Sequence, residues 1–363
     1  MHRALLAAAV VAACLVGGVG PGASAPDPDA VGDLRVLVVR ATWGPTIDDA
    51  SALSEAADFY RRASFGRLRL ELDITPWLRT YAQPICPDDE QAAKDAARVA
   101  GYKIDSYARI AEVLPGDVCA FDGIARGDDV LVTVPEALVH ELGHTFGLKH
   151  AMSFVCTGRS CRHLDEYGDP LSPMGHGTVD FSAFEKLKLG WISSVQRADR
   201  SRTYAVADID TPSASPQALV VPTAAGDYWI EHRGADPRRL IVRLIRPNTD
   251  NSIYIAQPTD SFLLANVFRV TRQFDFKWLD KKRPSTPRVR ALDHTVLSWS
   301  RASDAGSGVA DYRVTLDGKL LATTTDTETV LPALRKGGHR VTVVAFDRAG
   351  NRSRPGTVSL NES

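Results

Sequence analysis

Residues 140–150 read HELGHTFGLKH, three histidines and one glutamate within eleven positions. In an α-helix residues i and i+4 share a face, so His140 and His144 can offer two imidazole nitrogens to one ion. Glu141 is turned aside by one position. Its carboxylate can reach a water in the ion's open coordination site, not the ion itself. Two imidazoles hold a cation poorly, and Gly147 supplies the remedy. A glycine can take positive φ, end the helix and turn the chain back, so that His150 completes a three-histidine set. Zinc held in this way lowers the pKa of its water to about 7, and Glu141 can take the proton as general base. The plain alternative, a helix that carries histidines without a metal, requires all of these spacings to coincide by chance.

The surrounding chain is long enough to build such a site. Its 363 residues are 44% hydrophobic and 24% charged, a globular composition with room for two or three cores. Lys plus Arg (43) nearly balances Asp plus Glu (44), for a formal net charge of -1. No global field therefore draws the protein to nucleic acid or an anionic membrane. The first 25 residues combine Arg3, an apolar run from Ala4 to about Val19 and the small-residue stretch Ala23-Ser24-Ala25, which together predict a secretory signal cleaved after Ala25. Lipid anchoring through Cys14 is the weaker alternative, and no later run is long and apolar enough to span a bilayer. Loss of Cys14 leaves Cys86, Cys119, Cys156 and Cys161, an even number in an exported chain, with three ways to pair as disulfides. The favoured pairing is Cys86 with Cys119 and Cys156 with Cys161. A thiolate zinc site is the competitor, weakened by the lack of paired C-x-x-C elements.

Between residues 26 and 194 the order of elements is mixed. LRVLVV from Leu34 is a buried strand, 48–64 has helical periodicity, and 67–74 alternates as a half-buried strand. Residues 88–101 form a second helix stopped by Gly101, and 107–114 and 130–135 are apolar runs ahead of the histidine helix. After Trp191 helical spacing vanishes and short alternating runs take over. That predicts a β-rich domain at 195–279, a basic Pro-containing linker at 280–288, and a β-sandwich at 289–363. The last segment resembles bacterial immunoglobulin-like or fibronectin type III-like modules. In it Trp299 and Tyr312 read as core residues rather than a sugar-stacking platform.

The string HELGHTFGLKH matches the metzincin form of the zinc peptidase motif, which also asks for a methionine in a tight turn. LSPMGHG places Met174 between Pro173 and Gly175. The wider pattern, Tyr167-Gly168-Asp169, then Met174-Gly175, then Leu189-Gly190-Trp191, resembles the gametolysin-like metallopeptidases, most strongly over 140–192. The resemblance implies an α+β zincin (metzincin-like) catalytic domain followed by all-β domains. It also implies zinc on His140, His144 and His150, Glu141 as base, and endopeptidase activity on extracellular protein or peptide. Two features depart from the pattern. The first strand begins within about ten residues of the expected cleavage point, which leaves no room there for an inhibitory segment. His176 stands where some metzincin families have a tyrosine, and is a candidate for stabilising developing negative charge; a bystander loop histidine is the alternative.

The remaining candidates are weaker. His163 reads as a solvated loop residue, and His232, His294 and His339 need no functional account. Asp165, Glu166 and Asp169 could hold calcium through oxygen ligands, with turn and capping roles as the simpler account. A cell-surface or glycan ligand is an open expectation for the β-domains. Two other functions compete with the peptidase: a non-catalytic extracellular binding protein, against which the intact Glu141 argues, and an amidase acting on cell-wall peptide.

Overall fold

The computed structural model describes residues 27–362 except 81–90, 117–118, 158–159, 235–238, 257, 259 and 293–294; at 156–157, 160–163 and 256 it describes backbone alone. The segment read as a secretory signal, with Cys14, lies outside the described residues, as do Cys86, His294 and the side chains of Cys156, Cys161 and His163. Cys119 is disulfide-bonded and half-buried.

The chain is a mixed α/β structure with many strands and few helices. β1 (Gly32–Thr42), β2 (Leu68–Ile74), β3 (Leu78–Arg79), β4 (Arg109–Val113), β5 (Gly123–Arg126) and β6 (Asp129–Val132) form the first sheet. Its order is β2-β1-β4-β6-β5, with β3 also beside β1. The pairings are parallel except the last, where β5 runs antiparallel to β6 and forms the margin. β1 reads as a continuous apolar run because helices cover both of its faces. Leu34, Val36 and Val38 point to one core, and Leu37, Val39 and Ala41 to the other.

Helix α1 (Ala50–Ala63) fills the first core with Leu53, Ala56, Phe59, Tyr60 and Ala63, and Arg61 and Arg62 oppose its C-terminal partial charge. α2 (Gln91–Val99) covers the opposite face with Ala93 and Ala97, and Gly101 ends it at φ +92°. The histidine helix, α3 (Leu138–Thr145), packs beside α1, where the buried Tyr60 hydroxyl donates to the Val139 carbonyl at 2.8 Å. Tyr60 thereby fixes the N-terminal turn of the helix that carries the motif.

Past α3 the chain enters a hairpin, β7 (Ala151–Thr157) and β8 (Ser160–Asp165), then α4 (Ala183–Lys188), whose N-terminus is closed by a Ser182–Glu185 capping box. Strands then dominate: β9 (Gln196–Arg197), β10 (Arg202–Thr203), β11 (Leu219–Thr223), β12 (Gly226–His232), β13 (Leu240–Ile245) and β14 (Ser252–Ala256). They are followed by β15 (Ser261–Leu264), β16 (Phe268–Thr271) and β17 (Asp275–Trp278). A seven-stranded sheet has the order β8-β7-β14-β13-β12-β11-β9, and a four-stranded one β10-β17-β16-β15. The seven-stranded sheet crosses the boundary expected at 194. β7 pairs in parallel with β14, with Ala151 opposite Ser252.

Residues 279–288 carry no helix or strand, and the chain ends in three- and four-stranded sheets that share one core. Trp299 and Tyr312 belong to that core, their ring centroids 5.6 Å apart. Where the linker meets these sheets the carboxylates of Asp280, Asp304 and Asp347 gather. Each accepts from nearby amides, among them those of Ser307, Gly308 and Asn351. We predict that Tyr60→Phe, which removes the hydroxyl's bond to the Val139 carbonyl, destabilises the fold by about 0.5–1.5 kcal/mol. A lowered thermal midpoint in calorimetry checks it.

Candidate active site

α3 presents His140 and His144 on one face, as their four-residue spacing requires. At its C-terminus Gly147 adopts φ +79°, and the amides of Gly147 and Leu148 donate to the His144 and Gly143 carbonyls. The turned chain returns His150 to the helix face. One ring nitrogen from each of the three histidines lies within 4.8 Å of the others.

The other ring nitrogens decide what this cluster can do. His140 Nδ1 donates to the Pro173 carbonyl at 2.7 Å, and His144 Nδ1 donates to the Leu148 carbonyl at 2.9 Å. His150 Nδ1 meets the Glu166 carboxylate at 2.6 Å. A carbonyl can only accept, so in the neutral rings of His140 and His144 the Nε2 atoms carry lone pairs. Those two atoms are 3.0 Å apart. Two lone pairs so close repel unless a cation lies between them, and acceptors on the far nitrogens are what metal-binding imidazoles use to fix tautomer and ring orientation. Burial pushes the His140 imidazole down to about 4, with a contrary pull from the Pro173 carbonyl, and also lowers that of His144. The donor set therefore fits zinc: three imidazoles whose ring nitrogens converge, two of them with the other nitrogen donating to a carbonyl.

Glu141 lies beside the histidines. Burial pushes its carboxyl up to about 7. Behind it stands Gly123 of the marginal strand β5, where a Cβ would come within 2.6 Å of Glu141 Cγ and 2.8 Å of Oε1. Nothing in the sequence around Asp122-Gly123 signals that role. On the other side the Tyr167 ring lies against His150 and His140, at centroid distances of 4.3 and 5.7 Å. Tyr167 is half-exposed, so it forms a wall that a substrate can touch. His176 is exposed, and its Nδ1 donates to the Tyr167 carbonyl at 2.7 Å. The histidine thus meets the site through Tyr167.

The three acids considered for calcium do not converge. Asp165 accepts the Tyr167 amide, Glu166 faces His150, and Asp169 is buried on Arg243 of β13. Burial alone would raise the Asp169 carboxyl, but the Arg243 charge and hydrogen bonds outweigh it, helped by the Leu171 and Ser172 amides, and hold it below the usual carboxylate range. Those same amide bonds shape the turn leading to Met174. Gly175 is required there because a Cβ would come within 2.8 Å of the Ala151 carbonyl. Met174 is fully buried, its sulfur against the bare Cα of Gly143 between the two helical histidines.

Residues 52–230 match the family model described as gametolysin peptidase M11. No curated protein matches the chain in sequence. Among solved structures, archaemetzincin from Methanopyrus kandleri is 18% identical, covering 46% of this chain and 96% of that one at a TM-score of 0.27. Metalloproteinase-II from Bacteroides fragilis is 15% identical, covering 48% of this chain and 58% of that one, also at 0.27. The fibronectin(III)-like modules of Clostridium thermocellum CbhA are 16% identical, covering 21% and 93%, at 0.19. Scores this low leave the fold to be argued from the chain's own residues.

The contact between Gly143 and Met174 gives a direct test of the packing beneath the histidines. Gly143→Ala should destabilise by about 1–3 kcal/mol through overpacking. The penalty should shrink in a Met174→Ala background, because the two sites share one space. A denaturant double-mutant cycle reads the difference, and equal penalties in both backgrounds would contradict it.

Proposed function

From the match of residues 52–230 to the gametolysin peptidase M11 family model, we propose that the protein is a secreted zinc endopeptidase acting on extracellular protein. The observation that carries the reading is the convergence of three imidazoles whose far nitrogens all have acceptors, with Glu141 alongside. His140, His144 and His150 would hold the zinc. When bound, that ion supplies a Lewis acid for the scissile carbonyl and makes water a stronger nucleophile. Glu141 accepts the proton of the attacking water and returns it to the departing amine, which completes hydrolysis without a charged leaving group. Gly123 leaves the Glu141 carboxylate room to sit there.

Substrate placement follows from the sheet margin. Among the described residues β5 pairs along one edge only, and an extended peptide can add to the other through backbone hydrogen bonds. This favours cleavage within a chain over trimming from an end. Tyr167 contributes an aromatic wall, and His176 holds that residue's backbone. Export rests on the N-terminal signal read from the sequence. No helix among the described residues is long and apolar enough to cross a membrane.

The deciding experiment is hydrolysis of an unstructured protein by the full chain and by Glu141→Gln, with bound zinc measured in both. We expect about one zinc in each and cleavage by the parent alone, with a loss in the variant of at least about 100-fold. Zinc in both with cleavage by neither would favour the extracellular binding protein. Cleavage restricted to cell-wall peptide would favour the amidase. His176→Ala should lower turnover while zinc content stays unchanged, and an unaltered rate would remove His176 from the machinery.

A further inference from the structure

The residues that fix the third histidine and the Met174 turn come in part from beyond residue 230, where the family match ends. Asn251, just ahead of β14, donates its side-chain amide to the His150 carbonyl at 3.2 Å. The next residue of each partner enters the β7–β14 pairing, Ala151 opposite Ser252. Lys188 spans the gap a second time, donating to the Gly147 carbonyl at 2.8 Å and to Asp250 at 2.9 Å. Deeper in, the buried Arg243 reaches Asp169 through Nε at 2.7 Å and Glu231 through Nη1 at 2.8 Å.

These contacts lead to the histidines by short paths. Asp169 accepts the Leu171 and Ser172 amides, and its own backbone bonds to Ala151 and His176. The Ala151 amide donates to the Met174 carbonyl at 2.8 Å. The Pro173 carbonyl in that turn fixes the His140 ring. One bridge thus controls the angle of His150, and the other controls the acceptor that orients His140.

We propose that Asn251 and Arg243, which lie in the all-β part of the chain, are positioning residues of the metal site, so that the two parts form one functional unit. Neither touches the reacting atoms. Asn251 fixes the backbone from which His150 projects, and Arg243 neutralises and locks Asp169 under the Met174 turn. The inference rests on the reading of the three histidines as a metal site. It goes further in assigning ligand geometry to residues outside the motif and outside the matched segment.

Cobalt(II) provides the probe, because its visible absorption reports coordination geometry independently of catalysis. The full chain, Asn251→Ala and Arg243→Lys are titrated with cobalt(II), and each is melted without metal. Loss of partners outside the ligand sphere commonly weakens metal affinity about 10–100-fold. We expect about a 10-fold weaker affinity and an altered absorption band for Asn251→Ala, whose metal-free melting matches the parent. Arg243→Lys should weaken binding further, since an ammonium cannot serve Asp169 and Glu231 with the planar fork of the guanidinium. Parental affinity and spectrum in Asn251→Ala would overturn the proposal even if Arg243→Lys fails to fold. Weakened binding with an unchanged absorption band, accompanied by lowered metal-free melting, would also overturn it and leave a structural role. If the parent itself takes up no cobalt, the metal-site reading falls and this inference with it.

Discussion

An imidazole directs a lone pair usefully only when its other nitrogen has somewhere fixed to donate. That requirement governs the architecture around His140, His144 and His150. The acceptors are the carbonyls of Pro173 and Leu148 and the carboxylate of Glu166. Each belongs to a turn, and each turn must be held in turn by something else. The Leu148 carbonyl depends on Gly147 reversing the chain, and Pro173 depends on a loop pinned by Asp169 and packed through Met174 onto Gly143.

The cost of this arrangement is concentrated in buried charge. Asp169, Glu231 and Arg243 are nearly inaccessible to water. Burying such groups carries a desolvation penalty that their attraction offsets only with good geometry. Here each carboxylate is also served by backbone amides, Leu171 and Ser172 on Asp169 and Ala183 on Glu231. An apolar cluster of equal volume could stabilise the same junction. It could not orient three separate turns, because apolar contacts have little directional preference.

The sequence showed the parts of the site governed by local geometry. The i, i+4 histidines, the positive-φ glycine and the methionine turn each have a short-range signature, and helical spacing and β alternation located α1, β2 and the strands around 110 and 130. What it hid depends on partners distant along the chain. Gly123 looks like an ordinary turn glycine until Glu141 is placed against it. Tyr167 has no local signature of a role, because its nearness to His150 arises only after the hairpin of β7 and β8 folds back. That hairpin is short and contains cysteines and charged residues, so its sequence carries no clear strand alternation. It carries the seven-stranded sheet across a boundary placed on a change of composition.

The pairing of β7 with β14 also sets an order of events. Asn251 follows His150 by 101 residues. At synthesis rates of about 5–20 residues per second, the interval between them is roughly 5–20 s. During that time the growing polypeptide contains the whole histidine motif but not the strand beside which its third member is held. The contact that holds the His150 backbone therefore forms only after the whole motif has been made, and the end of the motif waits on a strand synthesised much later.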